Sequence, residues 1–444
     1  MDGKALRHPA RSYLALLFAV AAASPIAASG EASMFRGDPA HTGVYDSPSV
    51  PTLSAMKWKF ATKGKVVSSP AVVGSTVYVG SGDHALYALD AATGALRWRY
   101  RTGGPVDSSP AVADGIVYIV SRDGNLHAVD AVSGDGRWKF ATGGERRFTA
   151  PGIHGAIPRT ETMPDPFDTF LSSPAVVAGI VYFGSGDHHV YAVDAKTGTL
   201  RWRHPTGNVV HATPAVSGGI VYVGSWDRNL YALDARTGGL IWKFETGDDT
   251  DIYNQVGIAS SAAVSGDTVY FGCRDGHLYA VDIRSGALKW AHDTRKGWVI
   301  ASPAVTHGVV YFPTSDGQRF KALDATTGAP IHDVANKAVS FSSPAIVKNT
   351  AFYGTSDGWL QAFDTARGTI VAQFQTDGSK ENGAKYIDAD GQIDNAKLYS
   401  DFTLDAAIVG LERMYTLGSV LSSPVVVDGT VYFGSTDGNV YAVR

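Results

Sequence analysis

One sequence unit recurs eight times along this chain, at intervals of about 40 residues wherever no extra segment intervenes. Each unit opens on Ser-Ser-Pro-Ala-Val or a close variant, continues through a Val-Tyr-Phe-Gly segment and an Asp-containing turn, and closes on Thr-Gly and a large ring. The marker proline is Pro70, Pro110, Pro174, Pro214, Pro303, Pro344 or Pro424, and Ala262 replaces it once. Such a repeat predicts one repetitive architecture, although 444 residues would otherwise suggest several domains.

Each unit has the pattern of four short antiparallel strands. In the first unit the segments 71–73, 76–80, 86–89 and 96–100 are apolar or alternating and are separated by turn residues. Asp-Gly, the strongest short hairpin signal, stands between the second and third strands of several units. Four antiparallel strands in about 40 residues form one propeller blade. The predicted fold is therefore all-β, an eight-bladed β-propeller of four-stranded antiparallel blades.

The two ends of the chain predict how the ring closes. The last unit stops at Tyr441–Arg444, after its third strand, and a strand-like segment at 56–60 precedes the first unit. We expect this N-terminal strand to complete the last blade, which leaves no free sheet edge.

The N-terminus has the pattern of a secretory signal peptide over residues 1–29. Lys4, Arg7 and Arg11 precede an apolar run that is too short to span a membrane, and small residues follow near Ala27. Residues 30–55 form a lead-in segment, and 56–444 form the propeller. The expected mature protein is a soluble monomer, periplasmic or secreted, without a membrane span. Its net charge of −4 gives no sign of nucleic-acid binding.

A tryptophan marks the fourth strand of most units, within the pattern Ala-x-Asp-x-x-Thr-Gly-x-x-x-Trp. It is Trp58, Trp98, Trp138, Trp202, Trp242 or Trp290, and His332 and Ala372 stand at the last two positions. This pattern resembles the tryptophan-docking motif of the pyrroloquinoline-quinone (PQQ) repeat propellers, and it covers essentially all of 56–444. The resemblance implies that each ring packs between neighbouring blades, where it buries a large apolar surface.

The family resemblance implies two different functions. The chain is similar to the eight-bladed PQQ-repeat propeller of the outer-membrane β-barrel assembly machinery, which is not an enzyme, although a lipid-anchor cysteine is missing here. It is also similar to the quinoprotein dehydrogenases, which would imply PQQ and a calcium ion. The single cysteine, Cys273, cannot supply the adjacent cysteine pair of those enzymes, and their calcium ligands have no clear match.

Three insertions interrupt the repeat, at about 144–170, 246–258 and 376–420. All fall between a fourth strand and the next first strand, so we expect all three at one mouth of the ring, where binding sites are often built. Within the third, Leu404–Tyr415 has the pattern of an amphipathic helix and Asp388–Asp394 that of a hairpin turn. The first insertion adds Arg146, Arg147 and His154 to this mouth, and the second adds Tyr253 and Asn254.

Two units differ from the others at the entrance to the innermost strand. Asp107 and His211 stand where the remaining units have an apolar residue, and Trp298 lies on the same rim. A histidine with a carboxylate could perform acid–base chemistry, and a polar channel lining is the alternative. His211, Asp107 and Tyr253 are thus the candidate catalytic residues.

The turns between second and third strands are mostly cationic and aromatic, which suits a small anionic or sugar-like ligand. They carry His84, Arg122, His188, Trp226, Arg228, Arg274, Arg319 and Trp359. A lyase on an acidic polysaccharide would use such arginines to neutralise uronate and would use His211 or Tyr253 for proton transfer.

No nucleophile motif, P-loop or zinc-binding spacing occurs in the sequence, and no metal site is predicted. The leading interpretation is an exported module that binds an envelope protein or a small anionic or carbohydrate ligand. A PQQ-dependent dehydrogenase and a carbohydrate-active lyase remain the alternatives, so the sequence leaves open whether the protein is an enzyme.

Overall fold

The computed structural model describes residues 31–50, 52–153, 157–247, 257–295, 297–401 and 403–444. They form eight four-stranded antiparallel sheets and one two-stranded hairpin. The predicted eight-bladed propeller is confirmed. The expected signal peptide at 1–29 lies outside the described residues.

The first four blades follow each other in chain order, and each runs from its innermost to its outermost strand. Blade 1 contains β2 (Ala71–Val73), β3 (Thr76–Ser81), β4 (Ala85–Asp90) and β5 (Leu96–Arg101). Blade 2 contains β6 (Ala111–Ala113), β7 (Ile116–Ser121), β8 (Asn125–Asp130) and β9 (Gly136–Ala141). Blade 3 contains β12 (Ala175–Val177), β13 (Ile180–Ser185), β14 (His189–Asp194) and β15 (Leu200–Pro205). Blade 4 contains β16 (Ala215–Ser217), β17 (Ile220–Gly224), β18 (Asn229–Asp234) and β19 (Leu240–Glu245).

The other four blades continue the ring. Blade 5 contains β20 (Ala263–Ser265), β21 (Thr268–Gly272), β22 (His277–Asp282) and β23 (Leu288–Asp293). Blade 6 contains β24 (Ala304–Thr306), β25 (Val309–Pro313), β26 (Arg319–Asp324) and β27 (Pro330–Ala335). Blade 7 contains β28 (Ala345–Val347), β29 (Thr350–Gly354), β30 (Trp359–Asp364) and β31 (Thr369–Gln375). Blade 8 contains β32 (Val425–Val427), β33 (Thr430–Gly434), β34 (Asn439–Val443) and the N-terminal β1 (Met56–Ala61).

The N-terminal strand closes the ring as the sequence predicts. β1 pairs antiparallel with β34, with Lys59 opposite Tyr441 and Ala61 opposite Asn439. Blade 8 is thus built from both ends of the propeller sequence, and this pairing covers the edge of β34.

Docked rings join the blades at their outer strands. The Trp58 indole N–H donates to Ala91 O of the next blade at 3.0 Å, and the five other docking tryptophans make the equivalent bond. A Cβ at Gly94 would lie 2.7 Å from the Trp58 ring, which is why a glycine follows threonine in the motif. Ala372 faces blade 8, whose third and fourth strands are not joined by such a turn, so there is nothing for a tryptophan to dock on.

The second serine of the Ser-Ser-Pro segment that begins each unit forms hydrogen bonds between neighbouring blades; these residues are called the serine ring below. The N–H of the second serine donates to the hydroxyl of the equivalent residue in the next blade, and the eight bonds close a ring around the channel. The ring members are Ser69, Ser109, Ser173, Thr213, Ser261, Ser302, Ser343 and Ser423, with distances from 2.8 to 3.1 Å. These short bonds satisfy buried N–H groups that the innermost strands cannot pair themselves.

The lead-in segment closes the end of the channel opposite the insertions. Its carbonyls accept backbone N–H groups from the innermost strands of six blades, beginning with Val72 to Ala32 O at 2.8 Å. The other five pairs are Val112 to Ser33, Val216 to Pro39, Val264 to Ala40, Val305 to Thr42 and Ile346 to Gly43. Arg36 is fully buried and donates to Pro344 O and Pro303 O. In the described part of the chain, the lead-in segment thus covers this end of the channel, and the open cavities lie on the insertion face.

No helix in the described parts of the chain is long and apolar enough to cross a membrane.

Candidate functional site

The insertions gather at the mouth that the sequence predicts. The first contains the hairpin β10 (Thr149–Pro151) and β11 (Thr162–Pro164). The third contains α1 (Asp377–Tyr386), α2 (Asn395–Leu398) and α3 (Leu404–Tyr415), and α3 has the bounds expected from the sequence. A hairpin turn joins α1 to α2, with Ile387 bridged to Ile393. Most of the second insertion, including Tyr253 and Asn254, lies outside the described residues, as does His154.

His211 forms a buried ion triad with the two ends of the first insertion. Its Nδ1 lies 2.7 Å from Asp168 Oδ1 and its Nε2 lies 2.7 Å from Glu145 Oε1. Only 2% of the His211 side chain is exposed. Burial lowers the pKa of His211, but the two carboxylates outweigh it and raise the pKa to about 9. The cationic histidine therefore fastens the insertion to blade 4.

Asp107 pairs with Arg122 and does not reach His211. Arg122 Nε donates to Asp107 Oδ2 at 2.5 Å, and its Nη2 donates to Thr169 O of the first insertion at 2.9 Å. The carboxylate raises the pKa of Arg122 despite the burial that lowers it. This pair faces an open cleft, whereas the His211 triad is buried.

Arg274 lies between two tryptophans. Its guanidinium carbon is 3.8 Å from the ring centre of Trp298 and 4.7 Å from that of Trp226. All three side chains are buried, and Arg274 Nη1 donates to the buried Asp165 of the first insertion. Phe148 stacks on Trp226 at 4.4 Å. The expected cationic and aromatic cluster exists, but its surfaces are covered by the first insertion.

The remaining candidates belong to the hairpin turns. His84, His188 and Arg228 have φ values of 65°, 70° and 71°, and they occupy the turn position that is glycine in other blades. Arg228 Nη2 donates to Glu245 at 2.8 Å. These three side chains lie on separate blades, and the structure does not bring them together in one pocket.

The axial channel is too narrow for a quinone cofactor. The cavity inside the serine ring has a volume of about 40 Å³, bounded by the Asp107 and His211 side chains and by Phe35 of the lead-in segment. Sites for small organic ligands occupy several hundred Å³. On this face His211 and Arg274 are held by carboxylates of the first insertion. Among the described residues, no three His, Cys, Asp or Glu side chains are grouped as metal ligands. The residues present therefore do not fit PQQ with calcium at this position.

A second cavity on the same face is large and open. This cleft of about 710 Å³ lies between the 62–65 loop, the Asp107–Arg122 pair, the first insertion and α3. Its apolar lining includes Leu411 and Ile408, and Ile408 is 45% exposed. The volume is in the range of small-ligand sites.

The carboxylates that line the cleft have partners within the protein, whereas two of its cationic side chains have no ion-pair partner among the described residues. Asp107 is held by Arg122, Glu412 by Lys65 at 2.5 Å, and Asp437 by the Tyr441 hydroxyl at 2.7 Å. By contrast, Lys63 and Arg147 line the cleft and are exposed, and neither side chain makes an ion pair with a described residue. The cleft therefore presents two free cations to a ligand.

The residues that decide this geometry include several that sequence reasoning did not identify. Glu145, Asp165 and Asp168 pair with His211 or Arg274, and all lie in the first insertion. The sequence did contain a hint of these pairs. The first insertion carries carboxylates, and the cationic residues His211 and Arg274 depart from the repeat in blades 4 and 5.

Comparisons with known proteins agree with the fold. A family model described as outer membrane protein assembly factor BamB matches residues 51–162, 158–297 and 293–392. No curated protein sequence matches the chain significantly. The structure is similar to BamB from Moraxella catarrhalis, with 15% identity, a TM-score of 0.64, and coverage of 88% of this chain and 99% of that one.

Two enzymes share the architecture as well. A europium-containing methanol dehydrogenase has 17% identity and a TM-score of 0.67, over 94% of this chain and 98% of that one. The quinohemoprotein alcohol dehydrogenase from Comamonas testosteroni has 15% identity and a TM-score of 0.68, over 94% and 81%. At such identities the likeness concerns the fold alone.

Proposed function

Since the chain belongs to the family of the outer membrane protein assembly factor BamB, we propose that it is an exported, non-catalytic binding module of the cell envelope. It holds a partner protein or a small ligand at the insertion face of the propeller. The observation that carries this proposal is the open cleft, where an apolar lining adjoins the two free cations Lys63 and Arg147. An anionic group seated against these side chains would gain charge-assisted contacts without breaking an existing ion pair.

The rim residues favour binding over acid–base catalysis. Both ring nitrogens of His211 are occupied by carboxylates inside the protein, so the ring can neither donate to nor accept from a substrate without opening the triad. The rings of Trp226 and Trp298 already stack on Arg274 and are not free to stack on sugars. The lyase alternative therefore loses His211, Trp226 and Trp298. Its other candidate, Tyr253, lies outside the described residues.

A quinoprotein dehydrogenase is not favoured by the channel. The dehydrogenases that share the architecture resemble this chain in fold alone. The small axial cavity of this chain does not fit PQQ. Titration with PQQ and calcium, followed by tryptophan fluorescence, should show no stoichiometric complex.

Site-specific photo-crosslinking tests the binding proposal. A benzoylphenylalanine at Ile408 lies in the cleft, and one at Val132, which is 88% exposed, lies on the opposite face of the ring. In cells that export the protein, we expect a discrete adduct from position 408 and none from position 132. The double change Lys63→Glu with Arg147→Glu should remove the adduct, whereas Arg236→Glu, in an exposed turn on the opposite face, should leave it.

Three results would contradict the proposal. Equal adducts from both faces, or none from position 408, would argue against a specific site in the cleft. An adduct that survives the double charge reversal would argue against the role of the cations. Recovery of the protein solely from the cytoplasmic fraction would contradict the export that we propose.

A further inference from the structure

A repeated aromatic contact seals most of the blade interfaces near the insertion face. A ring on the fourth strand of one blade packs against a tyrosine or histidine on the third strand of the next, with centroids 5.4 to 5.7 Å apart. The six pairs are Phe60–Tyr87, Tyr100–His127, Phe140–Tyr191, His204–Tyr231, Phe244–Tyr279 and Phe374–Tyr441. The third-strand ring also bonds to the turn aspartate four residues before it, as Tyr191 does to Asp187 at 2.6 Å.

Blade 7 lacks this contact on both sides of its interface with blade 6. Val334 replaces the fourth-strand ring of blade 6, and Gln361 replaces the third-strand tyrosine of blade 7. Gln361 Oε1 accepts from Gln373 Nε2 at 2.6 Å, and no described hydrogen bond joins Gln361 to the turn aspartate. Deeper in this interface Phe320 and Tyr353 stack at 4.3 Å, so the change at Gln361 affects mainly the outer surface of blade 7.

Gln361 lines a pocket of about 400 Å³, here called the blade-7 pocket. On its sheet side, Trp359 lies opposite Gln375 and Gln361 lies opposite Gln373, so all four side chains are on one face of blade 7. Helix α1 and the Asp388–Gln392 turn form the other wall. The pocket lies on the insertion face but is separate from the cleft, since the two share no lining residue.

Asp357 lines the blade-7 pocket with an unsatisfied oxygen. Its Oδ1 accepts from Thr355 Oγ1 at 2.5 Å, and no described side chain donates to Oδ2, where most other blades have the third-strand tyrosine hydroxyl. Burial raises the pKa of Asp357 to about 6, despite its hydrogen bond from Thr355. An acceptor oxygen in the wall of a cavity can receive a hydrogen bond from a bound group.

We propose that the blade-7 pocket binds a sugar ring of a neutral oligosaccharide. Hydroxyl groups both donate and accept, and the amides of Gln361, Gln373 and Gln375 do the same, while Asp357 accepts only. The partly exposed ring of Trp359 gives an apolar face for the C–H side of a sugar. Two lysines and two aspartates line the pocket, so it has no net charge to select an anion. This binding does not depend on the function proposed for the cleft.

Calorimetric titration of the full chain with cellohexaose, maltohexaose and N-acetylchitohexaose tests the proposal. We expect at least one of them to bind with a stoichiometry of one. Trp359→Ala should weaken this affinity at least about tenfold. Gln361→Tyr restores the residue of the other blades and should fill the pocket, bond to Asp357 and abolish binding while the thermal unfolding midpoint stays equal or rises.

The matched control is Asn439→Ala, which changes the position equivalent to Trp359 in blade 8 and should leave sugar affinity unchanged. The proposal is overturned if none of the three oligosaccharides binds at millimolar concentration. It is also overturned if binding survives both Trp359→Ala and Gln361→Tyr, because the sugar would then sit elsewhere. Exclusive binding of an acidic probe, oligogalacturonate, would equally contradict a neutral site.

Discussion

Raising the pH from about 6 to about 9.5 should weaken the attachment of the first insertion, because the ion triad at His211 depends on a protonated imidazole. The pKa of His211 is raised from 6.5 to about 9 by Asp168 and Glu145. A shift of this size corresponds to about 3 kcal/mol of folding free energy. Since the folded-state pKa is the higher one, this stabilisation is fully present below pH 6.5 and is lost as the pH rises through about 9.

The replacement His211→Gln separates this contribution from other titrations. Glutamine can still hydrogen-bond to a carboxylate but carries no charge at any pH, so the variant should lack the steep loss between pH 6.5 and 9. Relative to the variant, the wild-type protein should therefore lose about 3 kcal/mol of unfolding free energy over this interval. His211→Ala leaves two buried carboxylates without a counter-ion and should cost about 3–5 kcal/mol at neutral pH.

The assay combines guanidinium unfolding with trypsin cleavage at Arg146 and Arg147, which lie beside Glu145. In the wild-type protein, cleavage there should accelerate at high pH more than cleavage elsewhere, since Glu145 is released. His84→Gln, a change in an exposed turn, is the control and should follow the wild-type curve. If the His211→Gln protein shows the same pH dependence as the wild type, the reasoning about the triad is wrong.

Two further changes test the scaffold around the channel. Ser173→Ala removes the hydroxyl that accepts the buried Ser109 N–H at 2.8 Å, and it should lower the unfolding free energy by about 1–3 kcal/mol in guanidinium titrations, whereas Ser133→Ala in an exposed turn should not. Arg36→Met removes the donor to Pro344 O and Pro303 O, and it should destabilise the protein by about 2–5 kcal/mol and expose the lead-in segment to proteolysis. An unchanged unfolding midpoint for Ser173→Ala would show that the ring of hydroxyl acceptors does not stabilise the fold. An unchanged midpoint for Arg36→Met would show the same for the Arg36 contacts.

The scaffold could be predicted from the sequence because eight copies repeat the same local physics. A docking tryptophan such as Trp202 and its turn glycine Gly238 recur at fixed spacing, and the ring in contact with the glycine explains both. The closing pair β1 and β34 followed from a missing strand at one end and a spare strand at the other. Periodicity made these interactions visible without any knowledge of three-dimensional contacts.

The contacts of the three insertions could not be predicted in this way, because each insertion occurs only once in the sequence. Asp107 and His211 both line the axial cavity, yet they do not form a pair with each other. Their partners are Arg122 and the carboxylates at 145 and 168, and the latter pairing depends on how a non-repetitive loop folds back. The blade-7 pocket was easier to predict, because a comparison of the third strands shows Gln361 at a position where five other units have tyrosine.

Departures from the repeat therefore fall into two groups with different physical meaning. The cations His211 and Arg274 are buried, and each binds a carboxylate of the first insertion, so these departures anchor a loop. Lys63 in the cleft and Asp357 in the blade-7 pocket keep polar atoms that no described residue satisfies, although each faces a cavity. The first group is enclosed by the first insertion, whereas the second group lines open cavities that a ligand can enter without breaking an existing ion pair. Binding is thus expected where a substituted position faces an open cavity, and not at every position where the repeat is broken.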